Sequence, residues 1–299
     1  MAGDRDVQFY LEDPLRQSAA RGEHPFLALV AEVLVEAGLR PVYAPPVSAS
    51  AGGYSLTHMA QPPDDRGLLF RRVYHYPFWQ IEAVAERWHW DTARAAFDGQ
   101  GAAPDAGRFY GYWQNRLFGA APADSRRAGF IYVPLQGHLA RCRSFQACSP
   151  LEMIEHCLEH GGGREIIVTL HPGESYTDQE LAALDRRVAR HRNLSLGAGE
   201  MAHYLQGCDY VVTQNSSVAF AGYFFGKPAL LFGRIDFHHI AVTADLQVLE
   251  ENFDRVARLK PPYASYVHWF WQERSINAGR PDAKERIAAR LRRFKWPIP

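Results

Sequence analysis

The sequence predicts an α/β protein with parallel β-sheets, and three observations support that class. Residues 209–233 contain an apolar run, a polar turn, a helix of small residues, a Gly-Lys-Pro stop and a second apolar run, which is the pattern of a βαβ unit. Apolar strand patterns alternate with helical patterns through the second half of the chain, as in parallel sheets. Polar residues cluster where those strands end, and open parallel sheets bind their ligands there.

The composition is that of a globular protein, and it argues against several functional classes. The 299 residues are 47% hydrophobic and 22% charged, with 33 basic and 33 acidic residues. This balance does not favour broad electrostatic binding to nucleic acid. The four cysteines lack zinc-knuckle or redox-pair spacing, and no apolar run suits a signal peptide or a membrane span. We therefore expect reduced thiols and a cytoplasmic location.

The first half of the chain predicts strands and helices in irregular succession. Three apolar runs are predicted as strands: residues 7–11, 40–44 and 67–74. Three segments with helical spacing are predicted as helices: residues 24–39, 77–88 and 109–118. Two segments rich in Pro, Gly, Ser and Asp are predicted as loops: residues 46–66 and 98–107.

The second half is more regular. Beyond the strands within 209–233, three further strands are predicted: residues 129–135, 165–170 and 194–196. Predicted helices begin at Ser149 and cover 178–190 and 200–206, and Ser149 with Glu152 fits a capping box. The small polar stretch 119–127 predicts a domain boundary. The expected organisation is two domains and a helical tail that packs back on both: residues 1–125, 126–243 and 244–299.

Four polar clusters follow predicted strands of the second half: residues 136–138, 171–174, 213–217 and 234–239. Parallel strands bring all four to one edge of the sheet, where they can face one ligand. Ser216 or Ser217 can cap the following helix, whose first N–H groups suit a phosphate. The alternative is that the serines serve only as caps, although four consecutive polar side chains exceed what capping needs. The cluster therefore predicts a ligand role for Gln214 and Asn215 as well, together with Gln136 from the first cluster.

Two histidine-containing clusters admit alternative readings. His171 at a strand end can donate to a phosphate, with Pro172 fixing the turn, or it can be a satisfied structural histidine. His238 and His239 with Asp236 contain metal-ligand types, but no third and fourth ligands are evident, so we predict no metal site. Walker A, complete G-x-G-x-x-G and G-x-S-x-G sequences are absent from the chain, which disfavours the corresponding nucleotide, dehydrogenase and hydrolase classes.

At residues 129–240 the chain resembles a known family. His171-Pro172 after one strand and residues 214–217 after a later one resemble the HP and Ser-Ser motifs of bacterial GT-B glycosyltransferases. These are the capsule-type Kdo transferases and sialyltransferases, which use CMP-activated acidic sugars, and the likeness is closer to capsular polysaccharide biosynthesis proteins. The resemblance implies a GT-B fold: two Rossmann-like domains with a cleft between them, and the nucleotide held mainly by the C-terminal domain.

The resemblance also implies roles for the domains and for single residues. Residues 1–125 would form the acceptor side, and residues 126–243 would bind the nucleotide. His171, Ser216 and Ser217 would contact the CMP phosphate, with Gln214 and Asn215 nearby, and Gln136 and Pro172 belong to the same predicted nucleotide site. The chain departs from the family at its acidic motif, because no E-D-G-F run is evident and the nearest substitute contains Asp65.

Glycosyl transfer needs a carboxylate that deprotonates the acceptor hydroxyl or attacks the sugar. The candidates are Glu82, Asp65 and Asp236. Aromatic neighbours can raise the pKa of Glu82, although a helix-surface carboxylate is the alternative. A carboxylate on the donor sugar suits an arginine fork. The predicted donor-sugar contacts are Arg71, Arg72, His238 and His239.

The sequence thus predicts a metal-independent glycosyltransferase without a cofactor beyond its CMP-sugar donor. The predicted acceptor is a surface or capsular glycan or glycolipid, with possible peripheral membrane association through that acceptor and no nucleic-acid partner. Two alternatives stay open: a nucleotide-sugar epimerase on the same fold, and a non-catalytic glycan-assembly protein that keeps a nucleotide cleft.

Overall fold

A computed structural model describes residues 5–46, 52–99 and 103–299 of the chain. The chain forms two compact units. The first unit comprises Met1–Ala95 and Trp269–Pro299, and the second unit is the continuous segment Ala96–His268. Each unit contains a six-stranded sheet with helices, so the predicted α/β class with mainly parallel sheets is confirmed.

The elements are numbered along the chain. The strands are β1 (Asp6–Tyr10), β2 (Arg40–Ala44), β3 (Tyr54–His58), β4 (Gly67–Arg72), β5 (Phe78–Glu82), β6 (Phe130–Pro134), β7 (Glu165–Thr169), β8 (Leu194–Leu196), β9 (Tyr210–Thr213), β10 (Ala229–Leu231), β11 (Val242–Thr243) and β12 (Ile276–Asn277). The α-helices are α1 (Asp13–Ala20), α2 (Pro25–Glu36), α3 (Asp91–Arg94), α4 (Ala106–Phe118), α5 (Pro150–His160), α6 (Asp178–Arg190), α7 (Met201–Gly207), α8 (Ser217–Tyr223), α9 (Leu249–Arg258), α10 (Tyr263–His268) and α11 (Ala283–Arg293). None of the helices in the described part of the chain is both long and apolar enough to cross a membrane.

The sheet of the second unit is parallel throughout and has the order β11-β10-β9-β6-β7-β8. Counted from its first strand, this is the 3-2-1-4-5-6 order of the Rossmann fold. From β6 the chain adds β7 and β8 on one side of the sheet. It then returns to the other side of β6, where it forms β9, β10 and β11. The carboxyl ends of β6 and β9 therefore flank the topological switch point, where such sheets bind ligands.

The sheet of the first unit has the order β12-β5-β4-β3-β1-β2. Strands β1 to β4 are parallel to one another, whereas β5 is antiparallel to both β4 and β12. Counted from β1, this is the 2-1-3-4-5 order of the flavodoxin-like fold, with an inverted fifth strand. Its switch point lies between the carboxyl ends of β1 and β3.

Two predictions for the first half are wrong. Strand β3 lies within residues 46–66, which were predicted as a loop, although residues 47–51 are outside the described residues. Strand β5 replaces the helix predicted from Pro77, because pairing with β4 and β12 determines its conformation. The predicted loop 98–107 falls partly on residues 100–102, which are also outside the described part, and α4 begins at Ala106.

The hydrophobic cores explain where the chain divides. Helix α11 returns to the first unit, where Ile287 and Leu291 are fully buried in the core beneath α2 and the sheet. Helix α4 belongs to the second unit, because its Tyr110 hydroxyl donates to the Tyr223 carbonyl oxygen at 2.7 Å. Helix α9 packs in the second core through Phe253. The structural division after Ala95 thus differs from the boundary near residue 125 that the composition suggests.

Local signals in the second unit specify its elements well. The capping box at α5 is present, since the Ser149 hydroxyl accepts from the Glu152 amide and the Glu152 carboxylate accepts from the Ser149 amide. Helix α6 begins with a second capping box, formed by Thr177 and Glu180. The Gly-Lys-Pro stop ends the α8 region, and Lys227 is buried there, with Nζ donating to the Arg126 and Gln206 carbonyl oxygens at 2.6 and 3.3 Å.

We expect Lys227→Met to destabilise the second unit by about 2–3 kcal/mol, because the Arg126 and Gln206 carbonyl oxygens lose a charged donor. Burial already lowers the pKa of the Lys227 ammonium, so this donor has lost part of its hydration. Chemical denaturation measures the change. The exposed Lys260→Met is the matched control, expected within about 0.5 kcal/mol of wild type. Equal stability of the two variants would contradict the assigned role of Lys227.

Candidate functional site

The switch point of the second unit is lined by a polar loop that crosses the ends of three strands. Thr213 at the end of β9 donates through Oγ1 to the Pro134 carbonyl oxygen at 2.9 Å and so ties β9 to β6. The loop between β6 and α5 then runs past β10, where the Ala147 amide donates to the Phe232 carbonyl oxygen at 2.7 Å. The Gln214 amide nitrogen donates to the Cys148 carbonyl oxygen at 3.0 Å and holds this loop over β9.

Several polar atoms in this region are buried without a hydrogen-bond partner among the described residues. They are Gln136 Oε1, Gln214 Oε1, Gln146 Nε2, and Nε and Nη2 of Arg143. Gln214 is only 1% exposed, so its unpaired oxygen is costly unless a ligand or water satisfies it. We call these four side chains the switch-point polar cluster. It contains both donors and acceptors, as a nucleotide site requires.

Two glycines allow the loops around this switch point to approach one another closely. A Cβ atom on Gly233 would lie 2.9 Å from the Gln214 carbonyl oxygen, so only glycine allows the loop after β10 to approach β9 this closely. A Cβ atom on Gly137 would lie 2.4 Å from an oxygen of Glu174. The loops after β6 and β7 are therefore in direct contact, and the Glu174 carboxylate occupies the side-chain position of Gly137.

His171 lies where the sequence predicts it, just after β7, and its side chain is exposed. Its Nδ1 accepts from the Gly173 amide at 3.1 Å, and its own amide donates to the Tyr176 hydroxyl at 2.8 Å. With Nδ1 accepting, the neutral imidazole carries its proton on Nε2. That arrangement suits donation to a phosphate oxygen. Pro172 is exposed beside it and makes the turn.

The serines after β9 are divided between two environments. Ser216 is buried, and its hydroxyl accepts from the Val218 amide at 3.3 Å as the cap of α8. Ser217 is exposed and Asn215 is half-buried. Helix α8 has only seven residues, so its dipole contributes little to anion binding. Ser216 therefore acts as a helix cap in this structure. Anion binding would depend more on Arg143 and His171.

The polar cluster at residues 234–239 is placed less favourably for contact with a substrate. Asp236 is 0% exposed, so a substrate has no access to its carboxylate, which corrects the prediction of a catalytic role. His238 is held by the Ile235 carbonyl oxygen at 2.8 Å, and His239 Nδ1 lies 3.0 Å from the Tyr266 hydroxyl. The two imidazoles stack with centroids 4.3 Å apart. Both imidazoles thus have a partner within the fold at Nδ1, and their role as donor-sugar contacts stays a prediction.

The switch point of the first unit carries a carboxylate and an imidazole in contact. Glu12 follows β1 and His58 ends β3, and Oε2 of Glu12 lies 3.2 Å from Nδ1 of His58. Both side chains are solvent-accessible, with 56% and 27% exposure. Arg72 at the end of β4 and His24 at the start of α2 are close enough for their charges to interact, and burial is the main cause of the lowered pKa of His24.

Backbone strain is concentrated at these strand ends. Four non-glycine residues among those described have positive φ, and three of them follow strands: Met59 after β3, Tyr74 after β4 and His138 after β6. Their φ angles are 60°, 65° and 61°. Such conformations cost about 1–3 kcal/mol each and are concentrated at ligand-binding sites. Met59 and His138 lie at the two switch points.

Glu82 lies in a strand and not on the helix that the sequence predicts over residues 77–88. It ends β5 with 3% exposure, and its Oε1 lies 3.0 Å from Arg290 Nη1 and accepts from the Asp91 amide at 3.4 Å. Burial raises the pKa of Glu82 to about 7, against the opposing effect of Arg290. The raised pKa was predicted from its apolar surroundings. The buried ion pair, however, removes Glu82 from contact with a substrate, and we correct its assignment from catalytic to structural.

The remaining predicted residues of the first unit lie at opposite edges of its sheet. Asp65 is exposed in the loop before β4, at the amino edge, which is the wrong end of a parallel sheet for a ligand site. Arg71 and Arg72 end β4 at the carboxyl edge. Arg72 is exposed and Arg71 is half-buried, as expected of neighbours on one strand.

Sequence reasoning missed Glu12, His58, Arg143 and Gln146. The rule that polar residues follow strands at a ligand edge was available for Glu12, which comes directly after a predicted strand. His58 ends β3, which lies in a segment whose composition predicts a loop, so the sequence does not indicate that His58 is at a strand end. Arg143 and Gln146 lie in an irregular loop, and only tertiary structure shows that their polar atoms are buried.

No protein-family model matches the sequence, and no curated protein matches it. Among solved structures, the chain is similar to Thermosulfurimonas dismutans KpsC, a beta Kdo 2,4 transferase, with a TM-score of 0.51 and 14% identity over 89% of this chain and 90% of that one. It is also similar to the KpsC beta Kdo 2,7 transferase of the same organism, with a TM-score of 0.51 and 11% identity over 87% and 88% of the two chains. These likenesses confirm the predicted GT-B-like fold.

Proposed function

We propose that this protein is a glycosyltransferase that moves an acidic, Kdo-like sugar from a CMP-sugar donor to a surface or capsular glycan. The observation that carries the proposal is the switch-point polar cluster at the ligand end of a Rossmann-ordered sheet. Its buried donors and acceptors have no hydrogen-bond partner among the residues that the structure describes. The choice of sugar is supported by the printed names of the two similar structures, both Kdo transferases.

The cluster and its surroundings contain groups for each part of a pyrimidine nucleotide. The amide of the half-buried Gln136 can both donate and accept, which suits a cytosine edge or a ribose. The buried Gln146 and Gln214 hold the loop behind it, since Gln146 Oε1 accepts from the Arg143 amide and Gln214 Nε2 donates to the Cys148 carbonyl oxygen. The Arg143 guanidinium suits the phosphate, and the Nε2 proton of His171 adds a second donor there. We assign stabilisation of the departing CMP phosphate to these two side chains.

We assign the reacting carboxylate to Glu12 of the first unit. It is the exposed acid at that unit's switch point, and His58 at 3.2 Å can orient it or share its proton. It would deprotonate the acceptor hydroxyl or attack the sugar carbon. Arg72 at the same edge of the sheet suits the carboxylate of an acidic sugar, with Arg71 as its alternative.

The proposal extends to the setting of the reaction. The acceptor is a glycan or glycolipid, the reaction is cytoplasmic, and any membrane association is peripheral and passes through the acceptor. The transferase uses no cofactor besides its nucleotide-sugar donor and no nucleic-acid partner. The equal numbers of basic and acidic residues support the last point.

Thermal unfolding with CMP, UDP and GDP tests nucleotide binding. A nucleotide at about 100 times its dissociation constant stabilises the protein by about 2.7 kcal/mol, and we expect this from CMP. In Gln136→Ala and Arg143→Met, CMP should bind about tenfold more weakly, because polar partners of the nucleotide are lost. A tenfold loss corresponds to about 1.4 kcal/mol of binding free energy.

The matched control is Gln247→Ala, which removes an exposed amide from the same unit and should leave the CMP effect unchanged. Stabilisation by UDP alone would replace the CMP donor with a UDP-sugar. No stabilisation by any of the three nucleotides would overturn the proposed function.

A further inference from the structure

Helix α5 carries two imidazoles and a carboxylate on one face near its carboxyl end. His156, Glu159 and His160 occupy positions i, i+3 and i+4, which neighbour one another on a helix surface. One ligand atom from each residue lies within 4.8 Å of the other two. Histidine pairs at i and i+4 are a recurrent zinc-binding arrangement on helices.

Aromatic packing restrains both imidazoles. The His156 ring stacks on Phe232 with centroids 5.9 Å apart and planes 7° apart, and the His160 ring packs on Phe253 at 5.9 Å. The two imidazoles are themselves near parallel, with centroids 6.3 Å apart. A metal ion would therefore meet ligands whose rotamers are already limited, which reduces the entropy lost on binding.

His156 has an unmet bonding requirement. Its Nδ1 is buried and has no hydrogen-bond partner within the described residues. A buried ring nitrogen in this state costs free energy, and a metal ion is one partner that would remove the cost. This atom is not a member of the switch-point polar cluster: it lies on α5, where the imidazole stacks on Phe232.

The distances and local charge fit a small divalent ion. Zinc lies about 2.0–2.1 Å from nitrogen and oxygen ligands, so tetrahedral ligands are about 3.4 Å apart. Nε2 of His160 is 3.6 Å from Oε2 of Glu159. Glu159 is 70% exposed and free to rotate toward the ion. The last turn of a helix also favours a cation, since its carbonyl dipoles point there.

We propose that His156, Glu159 and His160 form a binding site for Zn²⁺ or a similar imidazole-seeking divalent metal. The fourth position would be taken by water. Helix α5 starts at the ligand edge of the sheet and its eleven residues extend about 16 Å away from it. The metal therefore stabilises the carboxyl-terminal half of α5, where His156 packs on Phe232 and His160 packs on Phe253.

Metal binding is tested on tag-free, chelator-treated protein without nucleotide. Titration with ZnCl₂ against a chromophoric chelator should give one equivalent bound, and Zn²⁺ should raise the melting temperature. His160→Ala and Glu159→Gln should weaken binding by about tenfold or more and abolish most of the thermal shift. His203→Ala, which removes an exposed histidine from α7, should bind like wild type.

Glu159→Gln guards against misfolding, because its side chain is largely exposed and contributes little to the core. Wild-type affinity in both Glu159→Gln and His160→Ala would overturn the site, as would the absence of any stoichiometric binding. Because the readout needs neither donor nor acceptor, these outcomes are independent of whether the chain transfers a sugar.

Discussion

Glu12→Gln should lower sugar transfer by about 10²–10⁴-fold while leaving CMP-induced stabilisation unchanged. General acid–base catalysis by a positioned side chain contributes about this much to a rate, and an amide has no proton-accepting oxygen of comparable basicity. Nucleotide binding is assigned to the second unit and should not depend on Glu12. Release of CMP from a CMP-sugar in the presence of an acceptor glycan measures the rate, and thermal unfolding measures binding.

Two controls accompany this variant. Glu23→Gln removes an exposed carboxylate from the same unit, where it pairs with Arg21 at 2.7 Å, and should retain full activity. His58→Gln removes the imidazole partner and should reduce the rate less than loss of Glu12 does. Full turnover in Glu12→Gln, with normal CMP binding, would show that the reacting carboxylate lies elsewhere in the chain.

Arg290→Met should destabilise the first unit by about 3–5 kcal/mol. Arg290 lies between two acids, with Nη1 at 3.0 Å from Glu82 and 3.2 Å from Asp91. Removing the cation leaves Glu82 buried without its ion pair, and that situation costs far more than the pair itself contributes. Asp91 keeps its second partner, Arg293 at 2.5 Å, so most of the loss comes from Glu82. Denaturant unfolding at a pH above 7, where the Glu82 carboxyl group of the wild-type protein is ionised, measures the difference.

The matched control is Arg292→Met, which removes an exposed guanidinium from the same helix and should change stability by less than about 0.5 kcal/mol. The double variant Glu82→Gln with Arg290→Met should recover part of the loss, because no buried charge is left without a partner at Glu82. If Arg290→Met were as stable as Arg292→Met, the buried ion pair would have no structural role.

Glu82 also predicts that the stability of the folded protein depends on pH. Burial raises the pKa of Glu82 from 4.5 to about 7 in the folded state, so the folded state holds a proton that the unfolded chain releases. This carboxyl group therefore favours the folded state fully below pH 4.5, and the contribution is lost as the pH rises through 7. A difference of about 2.5 pKa units corresponds to about 3 kcal/mol. Glu82→Gln should remove this component of the stability profile, which unfolding at several pH values measures.

The second unit was largely predictable from sequence because its signals are local. Its helices carry caps within three residues of their starts, as at Ser149 and Thr177, and its strands are short apolar runs between turns. The first unit was less predictable because pairing decides its elements. Strand β5 has residues at helical spacing but is held between β4 and β12, and β12 lies nearly 200 residues later in the chain.

The candidate site was predictable to the extent that strand ends mark it. His171 and Gln214 were located by that rule, and the structure places both after neighbouring strands of β6. Burial was not predictable from sequence, and burial corrected the assignments of Glu82 and Asp236. Arg143 belongs to the site because of a loop path that no periodicity or propensity encodes.

The division of the chain has a consequence for synthesis on the ribosome. The second unit is continuous and emerges whole, whereas the first needs Ile287 and Leu291 to complete its core. The apolar surface of nascent residues 5–95 therefore stays incompletely covered while about 190 more residues are translated, at roughly 5–20 residues per second. A chaperone that covers that surface should act on this amino-terminal segment and release it once α11 has left the exit tunnel.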